Sequence, residues 1–425
     1  MIDLCARLTI ERLGQRGEGM ARTAEGPVFV PFALPGETII AEVDGDRGRL
    51  ADILQPSPDR VDPVCSLFAR CGGCAVQCLA PEAYAAWKRS LVVDTLRHTF
   101  PETPVLPLID AHGEGRRRAS LHARIDDEGR MQIGFMEARS HALVPIAACP
   151  LFAPALSKAL PIAEILARAI GEIFQGKAKP FDLVATATLS GLDIDLRGLG
   201  PLTKAQTEGL IARVLALPLA RLSNHGIIIL EKETPAIRIG DCRVALPPGS
   251  FLQATEAGER ELAKKVTQAL AGRRKIADLF AGLGTFSLPL AKTARVHAFD
   301  LEKAPLTALM KASHAPGLHP VEIEARDLFR RPLTEELAQF DAIVFDPPRA
   351  GAEQQAHALA ASEVPIVAGV SCNPQTFARD AAILRAGGYH LREVTPIDQF
   401  RFSPHVELVG LFERETRKKK RRLLG

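Results

Sequence analysis

Sulfur chemistry is written into this chain at two places. Near the C-terminal end, Cys372 lies in VSCNPQTFARD (370–380), between a short apolar run and a proline. A thiol at such a strand end is either an inert buried group or, once deprotonated, a nucleophile. Far upstream, Cys65, Cys71, Cys74 and Cys78 crowd into CSLFARCGGCAVQC (65–78), and Cys149 follows in AACPLF (147–152). The C-x5-C-x2-C array, opened by Gly72 and Gly73, lets three thiolates converge on one metal centre if a fourth arrives from elsewhere. Cys149, followed by Pro150, is the expected fourth ligand; Cys78, close behind Cys74, ranks second. A tetrahedral zinc and an iron–sulfur cluster both accept four thiolates, and spacing does not choose between them.

Carboxylates and a glycine turn supply the rest of the chemistry. KIADLFAGLGTFSLPLA (275–291) reads as an apolar strand, a Gly-x-Gly turn at Gly282 and Gly284, and the start of a helix. Ser287 fills the third glycine position of the dinucleotide fingerprint, so a mononucleotide-sized ligand is expected. Asp300 closes the next strand, RVHAFD (295–300), where a carboxylate accepts hydrogen bonds from ribose hydroxyls, and an S-adenosylmethionine site fits. FDAIVFDPPRAG (340–351) and PIVAGVSCNP (365–374) read as buried strands ending at Asp346 and Cys372, the edge at which open α/β sheets bind ligands.

The elements that must position these groups change in texture along the chain. In residues 1–57, CARLTIERL, PVFVPFAL, ETIIAEVDG and GRLADILQ alternate apolar and polar residues between Gly and Pro breaks, which predicts a small β-barrel. PSPDRVDP (56–63) reads as a linker, and a mixed helical and strand-like segment follows to about Gln253. The last 170 or so residues alternate apolar strands with helical patterns, the signature of a parallel sheet. With 425 residues, 47% hydrophobic and 24% charged, the chain buries two or three cores and is not disordered. It has no run of about 18 apolar residues and a charged N-terminus, which reads as a cytoplasmic protein with reduced cysteines and no membrane span. The net charge of +3 does not by itself imply a nucleic-acid partner, although RRR (116–118) and RKKKRR (417–422) concentrate positive charge. The plain reading of the second run is a solvated tail.

DLFAGLGTFSLPLA (278–291), FDPPRAG (345–351), VSCNPQTFARD and HVELVGLFER (405–414) occur in an order and at intervals by which the chain resembles the RNA 5-methyluridine methyltransferase family, over nearly its whole length. The resemblance implies a multidomain α/β chain. Residues 1–57 would be a TRAM or OB-like RNA-binding β-barrel, residues 58–248 a central α+β domain, and residues 249–425 a Rossmann-like class I methyltransferase domain using S-adenosylmethionine. The central domain would carry a four-iron, four-sulfur cluster on Cys65, Cys71, Cys74 and Cys149, and the helix after the cluster cysteines, roughly 77–108, would pack against the methyltransferase domain. Barrel and cluster cysteines together imply 23S rRNA as the RNA partner, with tRNA the alternative and no membrane or protein partner implied. The family's nucleophile falls on Cys372 and its general base on Glu407, in SPHVELV (403–409). Its cofactor contacts fall on Gln253, Phe280, Thr285, Asp300, Asp327 and Asp346. Thr285 stands where the family often has Asn, and Asp300 where Glu is more usual.

Uracil carbon 5 is too weak a nucleophile to take a methyl group from a sulfonium until a thiolate adds to carbon 6 and makes an enolate. Gln253 is then expected to steady the carbonyl oxygen, Glu407 to remove the carbon 5 proton, and Asp346 to hold the substrate or cofactor edge. The uridine must leave its stack, at a cost of roughly a few kcal/mol. Asp-Pro-Pro followed by an aromatic residue suits amino-group methylation, but Arg349 fills the aromatic position here. A non-catalytic RNA-binding protein with a metal knuckle, the reading from a different class, would need none of Cys372, Glu407 and the glycine turn.

Overall fold

The computed structural model describes residues 4–126, 128–138, 140 and 142–414. The basic run at 417–422 lies outside the described residues. Short alternating strands need a second surface to bury their apolar side, and the N-terminal ones supply it to each other. In spatial order they are Leu4–Thr9, Thr38–Asp44, Arg47–Gln55, Gly26–Pro31, Glu18–Thr23 and Arg12–Leu13. The pairings are antiparallel except for Gly26–Pro31 against Arg47–Gln55. Leu8, Ile10, Val28, Val30, Ile39 and Ala41 form the small core of this sheet. The sheet is docked on the rest of the chain, since Trp87 Nε1 donates to the Gly14 carbonyl at 3.2 Å and Gln375 Nε2 to Gln15 Oε1 at 3.2 Å.

A second sheet runs Leu143–Pro145, Met131–Met136, Arg118–Ile125, Phe181–Thr188, Gly191–Arg197, Leu219–Asn224 and Ile227–Glu231. Helices Ala159–Ile173 and Lys204–Val214 cover its apolar face, with Leu166, Ile170, Leu210 and Val214 packed on Leu121, Leu183 and Ile194.

The third sheet positions the chemistry. Its order is Glu322–Ala325, Arg295–Asp300, Lys275–Leu279, Ala342–Phe345, Ile366–Ser371, Glu407–Arg414, Tyr389–Asp398 and Ile109–Asp110. The first five strands are parallel and Glu407–Arg414 runs antiparallel to both of its neighbours. Continuous apolar runs such as AIVF and IVAGVS suit strands buried on both faces. Successive residues feed opposite cores: Ala277, Leu279, Ile343 and Phe345 face one, Ile276, Ala342 and Val344 the other. Helix Pro81–Leu96 packs in the first of these cores with Phe377, Leu384 and Leu391, and Ile109–Asp110 becomes the sheet's edge strand. In space, therefore, residues 81–110 lie with the C-terminal sheet and not with the seven-stranded one. Among the described residues no helix is long and apolar enough to cross a membrane.

Candidate active site

Parallel strands deliver their last residues to one edge of the sheet, and a cleft of about 530 Å³ opens there. Gln253, Phe280, Asp300, Asp327, Asp346, Cys372 and Glu407 all line it. Thr285 is not among the residues that line it. Gly284, at φ +90°, turns the backbone hard against Leu309, where a Cβ would come within 2.3 Å of Leu309 Cδ1. The residue after that turn falls behind it, and Thr285 borders a separate hollow with Glu259, Arg260 and Lys292.

The outer part of the cleft is apolar with two carboxylates. Phe280, held at φ +67°, packs its ring 5.6 Å from that of Phe329, and Leu283, Leu301 and Pro305 complete the wall. Asp300 accepts the Gly282 and Glu302 backbone N–H groups at 2.9 Å each, which fastens the glycine turn to the second strand. Asp327 accepts N–H groups from Phe329 at 3.0 Å and Arg330 at 3.2 Å. Beneath the turn, Asp278 is fully buried and accepts from Ser287 Oγ at 2.6 Å, while its Oδ1 has no partner among the described residues. Burial pushes Asp278 up to about 7, with Asp300 adding to the rise. An apolar wall for a purine and the Asp300 and Asp327 carboxylates for hydroxyls form a set that fits S-adenosylmethionine.

At the deep end the strand register does the positioning. Ser371 pairs with Leu408, so the next residues outward, Cys372 and Glu407, fall at the same edge. Helix Pro374–Ala386 starts immediately after Cys372, capped by Asn373, whose side chain accepts the Gln375 N–H at 3.0 Å. Burial, then the charges of Glu407 and Asp346, push the Cys372 thiol up to about 11, and Arg349 opposes this. Burial pushes Glu407 up to about 7 against the pull of Gln399 and Lys88. Asp346 is raised well above the ordinary carboxylate value by burial, then by Glu407 and Asp278. Near neutrality the resting thiol is protonated, while Glu407 is poised to exchange a proton.

Sequence reading missed the residue that ties this end together. Gln399, with no exposed surface, donates from Nε2 to Gln253 Oε1 at 2.6 Å and to Glu407 Oε1 at 3.0 Å. Its Oε1 accepts the Thr255 N–H at 3.4 Å, which fixes the way the amide faces. Occupying Oε1 of Gln253 leaves that residue's own N–H₂ group as a donor for the cleft. Gly258 makes room for this, since a Cβ there would meet Gln399 Oε1 at 2.6 Å. Next door, Lys88 from helix Pro81–Leu96 pairs with Asp398 at 2.9 Å, Tyr84 donates to Asp398, and Phe402 N–H donates to Tyr84 at 2.9 Å. Nothing local in DQF (398–400) marks these groups, because their partners lie far away in sequence.

Away from the cleft, Cys65, Cys71, Cys74 and Cys149 lie within electrostatic reach of one another. Burial, with Cys149, Cys71 and Cys65 adding, pushes Cys74 up to about 11. Cys149 is raised by burial and by Cys65 and Cys71. Gln77 Oε1 accepts the Cys65 N–H at 3.1 Å, and Gly72 N–H donates to Met136 at 2.9 Å. Cys78 turns away, its Sγ 3.8 Å from the Phe32 carbonyl. Among the described residues no three Cys, His, Asp or Glu side chains stand in a geometry that already holds a metal ion. The RRR run does not form an outward basic patch: Arg117 pairs with Glu259 at 2.5 Å, Arg118 donates to the Ser250 carbonyl at 3.4 Å, and Arg116 lies beside Cys149 and Cys74.

A family model described as tRNA (Uracil-5-)-methyltransferase matches residues 234–415. An uncharacterized RNA methyltransferase of Caulobacter vibrioides is 46% identical, over 96% of this chain and 99% of its own. The 23S rRNA (uracil(1939)-C(5))-methyltransferase of Chromohalobacter salexigens is 33% identical, over 96% of this chain and 89% of its own. Among solved structures, the Pyrococcus abyssi tRNA (uracil-54, C5)-methyltransferase in complex with S-adenosyl-L-homocysteine superposes with a TM-score of 0.71 at 26% identity, covering 96% of this chain and 99% of that one.

Proposed function

We propose a reaction course for this chain, which belongs to the tRNA (uracil-5-)-methyltransferase family and is an S-adenosylmethionine-dependent RNA (uracil-C5)-methyltransferase. Cys372 Sγ adds to carbon 6 of a flipped uridine, and the resulting enolate makes carbon 5 electron-rich. The Gln253 N–H₂ group, aimed by Gln399, steadies the charge on the carbonyl oxygen, and Asp346 holds the uracil edge. Arg349 and the N-terminus of helix Pro374–Ala386 offset part of the burial that keeps Cys372 a thiol at rest, and its proton passes to solvent before the sulfur adds. Phe280, Asp300 and Asp327 would hold S-adenosylmethionine, which would supply the methyl group to carbon 5 and leave as S-adenosylhomocysteine. Glu407 then takes the carbon 5 proton, the carbon–sulfur bond breaks, and Cys372 leaves as the thiolate. The observation that carries this reading is that Cys372, Asp346 and Glu407 line one cleft, with Glu407 and Gln253 held by a single amide.

We assign 23S rRNA as the substrate, on the support of the N-terminal sheet, the cysteine array and the Chromohalobacter relative. In this reading the N-terminal sheet is the TRAM-like RNA-holding barrel, and Cys65, Cys71, Cys74 and Cys149 hold a four-iron, four-sulfur cluster. Four thiols in mutual reach beside the Arg116 cation suit such a centre, whose net negative charge a guanidinium would offset. Mapping 5-methyluridine in ribosomal RNA and tRNA from a strain lacking the gene tests the substrate. Loss of one 23S position is the expected result, and loss confined to tRNA overturns it. Anaerobically purified protein should carry iron and acid-labile sulfide near about four each per chain; one zinc without sulfide overturns the cluster.

A further inference from the structure

Arg116 stands between the two sites. Its N–H donates to the Leu151 carbonyl at 2.7 Å and its own carbonyl accepts from Ala153 at 2.9 Å, just past Cys149. On the other side, Arg117 donates from Nε to the Gln253 carbonyl at 3.1 Å and from its N–H to Ala254 at 3.0 Å. The Arg116 guanidinium lies within reach of the Cys149 and Cys74 sulfurs and sits 5.7 Å from the centre of the Phe400 ring. Phe400 directly follows Gln399. The cysteine loop grips the same turn, because the N–H groups of Ala75 and Val76 donate to the Phe402 carbonyl at 2.7 and 3.3 Å. Phe402 is held at φ +63°, a conformation that a phenylalanine keeps only when its surroundings impose it.

We infer that Arg116 is a positioning residue for the base: with the 74–76 loop it holds the 399–402 turn, and through Gln399 it sets the Glu407 carboxylate and the Gln253 amide. The inference rests on the reading of Glu407 as the base. The two sites are thus joined by a few buried contacts, without a change of fold.

Arg116→Met keeps the aliphatic stem and removes charge and plane; Arg116→Lys keeps the charge. On the full-length, metal-loaded protein, Arg116→Met should speed amide exchange across residues 398–407 about tenfold. It should slow turnover roughly 10- to 100-fold and leave a methylated protein–RNA adduct on a denaturing gel, because the base is misplaced. Iron content and the dissociation constant for S-adenosylmethionine should hold within about twofold, and Arg116→Lys should recover part of the protection. Wild-type exchange and no adduct in Arg116→Met overturn the positioning role, as does an equal loss of cofactor affinity and protection throughout the chain. If Glu407→Gln leaves no adduct either, the reading of Glu407 as the base fails, while exchange across residues 398–407 in Arg116→Met still decides whether this side chain holds the turn.

Discussion

The cleft and the cysteine loop are built by opposite means. In the cleft, Asp300, Asp346, Cys372 and Glu407 stand at the ends of buried strands, so the ladder fixes their spacing before any ligand arrives. Around Cys65, Cys71 and Cys74 the chain has no ladder. Backbone bonds from Gly72 to Met136 and from Ala75 to Phe402, and the edge contact of Phe32 with Phe68 at 5.1 Å, do most of the holding. Rigid elements preorganise a reaction site, whereas an irregular loop rich in thiols gets its final shape from what it binds. The cleft should therefore keep its form when its ligands are removed, and the cysteine region should not.

Several substitutions break or sharpen that contrast. The largest effect is expected from Cys372→Ala, which should abolish turnover while leaving thermal stability and iron content at wild-type levels, as read by methyl incorporation, melting and metal analysis. Cys149→Ala should do the reverse on the metal side, lowering both iron content and melting temperature; Cys242→Ala, from the buried strand Cys242–Ala245, should leave iron unchanged. Gln399→Ala comes next. Losing the amide that orients Gln253 and Glu407 should cost kcat roughly 10- to 100-fold with little change in the KM for S-adenosylmethionine, since the outer wall is untouched. A large rise in that KM instead would show that Gln399 supports the whole cleft.

The smallest effect is on stability. Glu407 has an ordinary value of 4.5 and is raised to about 7 in the fold. Its contribution to stability is full below its unfolded value and is lost as pH rises through about 7, where a buried charge must form. Glu407→Gln should accordingly stabilise the protein at about pH 8 by on the order of 2 kcal/mol and change little near pH 4.5, measured by urea midpoints. Equal effects at both pH values would place the benefit in packing and not in the charge.

The cleft is largely legible in the sequence because the parallel sheet turns short local motifs into neighbours at one edge. Phe280, Asp300, Asp346 and Cys372 each end an apolar run, and each is delivered to the same side. Thr285, which ends no apolar run, borders a separate hollow beyond the Gly284 turn. Gln399 and the Lys88–Asp398 pair are invisible to local reading, since the partners are far apart in sequence and meet only when helix Pro81–Leu96 packs on the C-terminal sheet. RRR reads in one dimension only as a concentration of positive charge, yet Arg117 is held inside by the Gln253 carbonyl and Glu259.

The division of labour between Cys372 and Glu407 is tested most directly by a denaturing gel run with labelled RNA and a labelled methyl donor. Glu407→Gln should give a shifted protein–RNA band carrying both labels, because addition and methyl transfer proceed and the carbon 5 proton then has no efficient acceptor. The same band should be absent from Cys372→Ala. Turnover of Glu407→Gln at the wild-type rate, with no accumulated adduct, would contradict the assignment of Glu407 as the base.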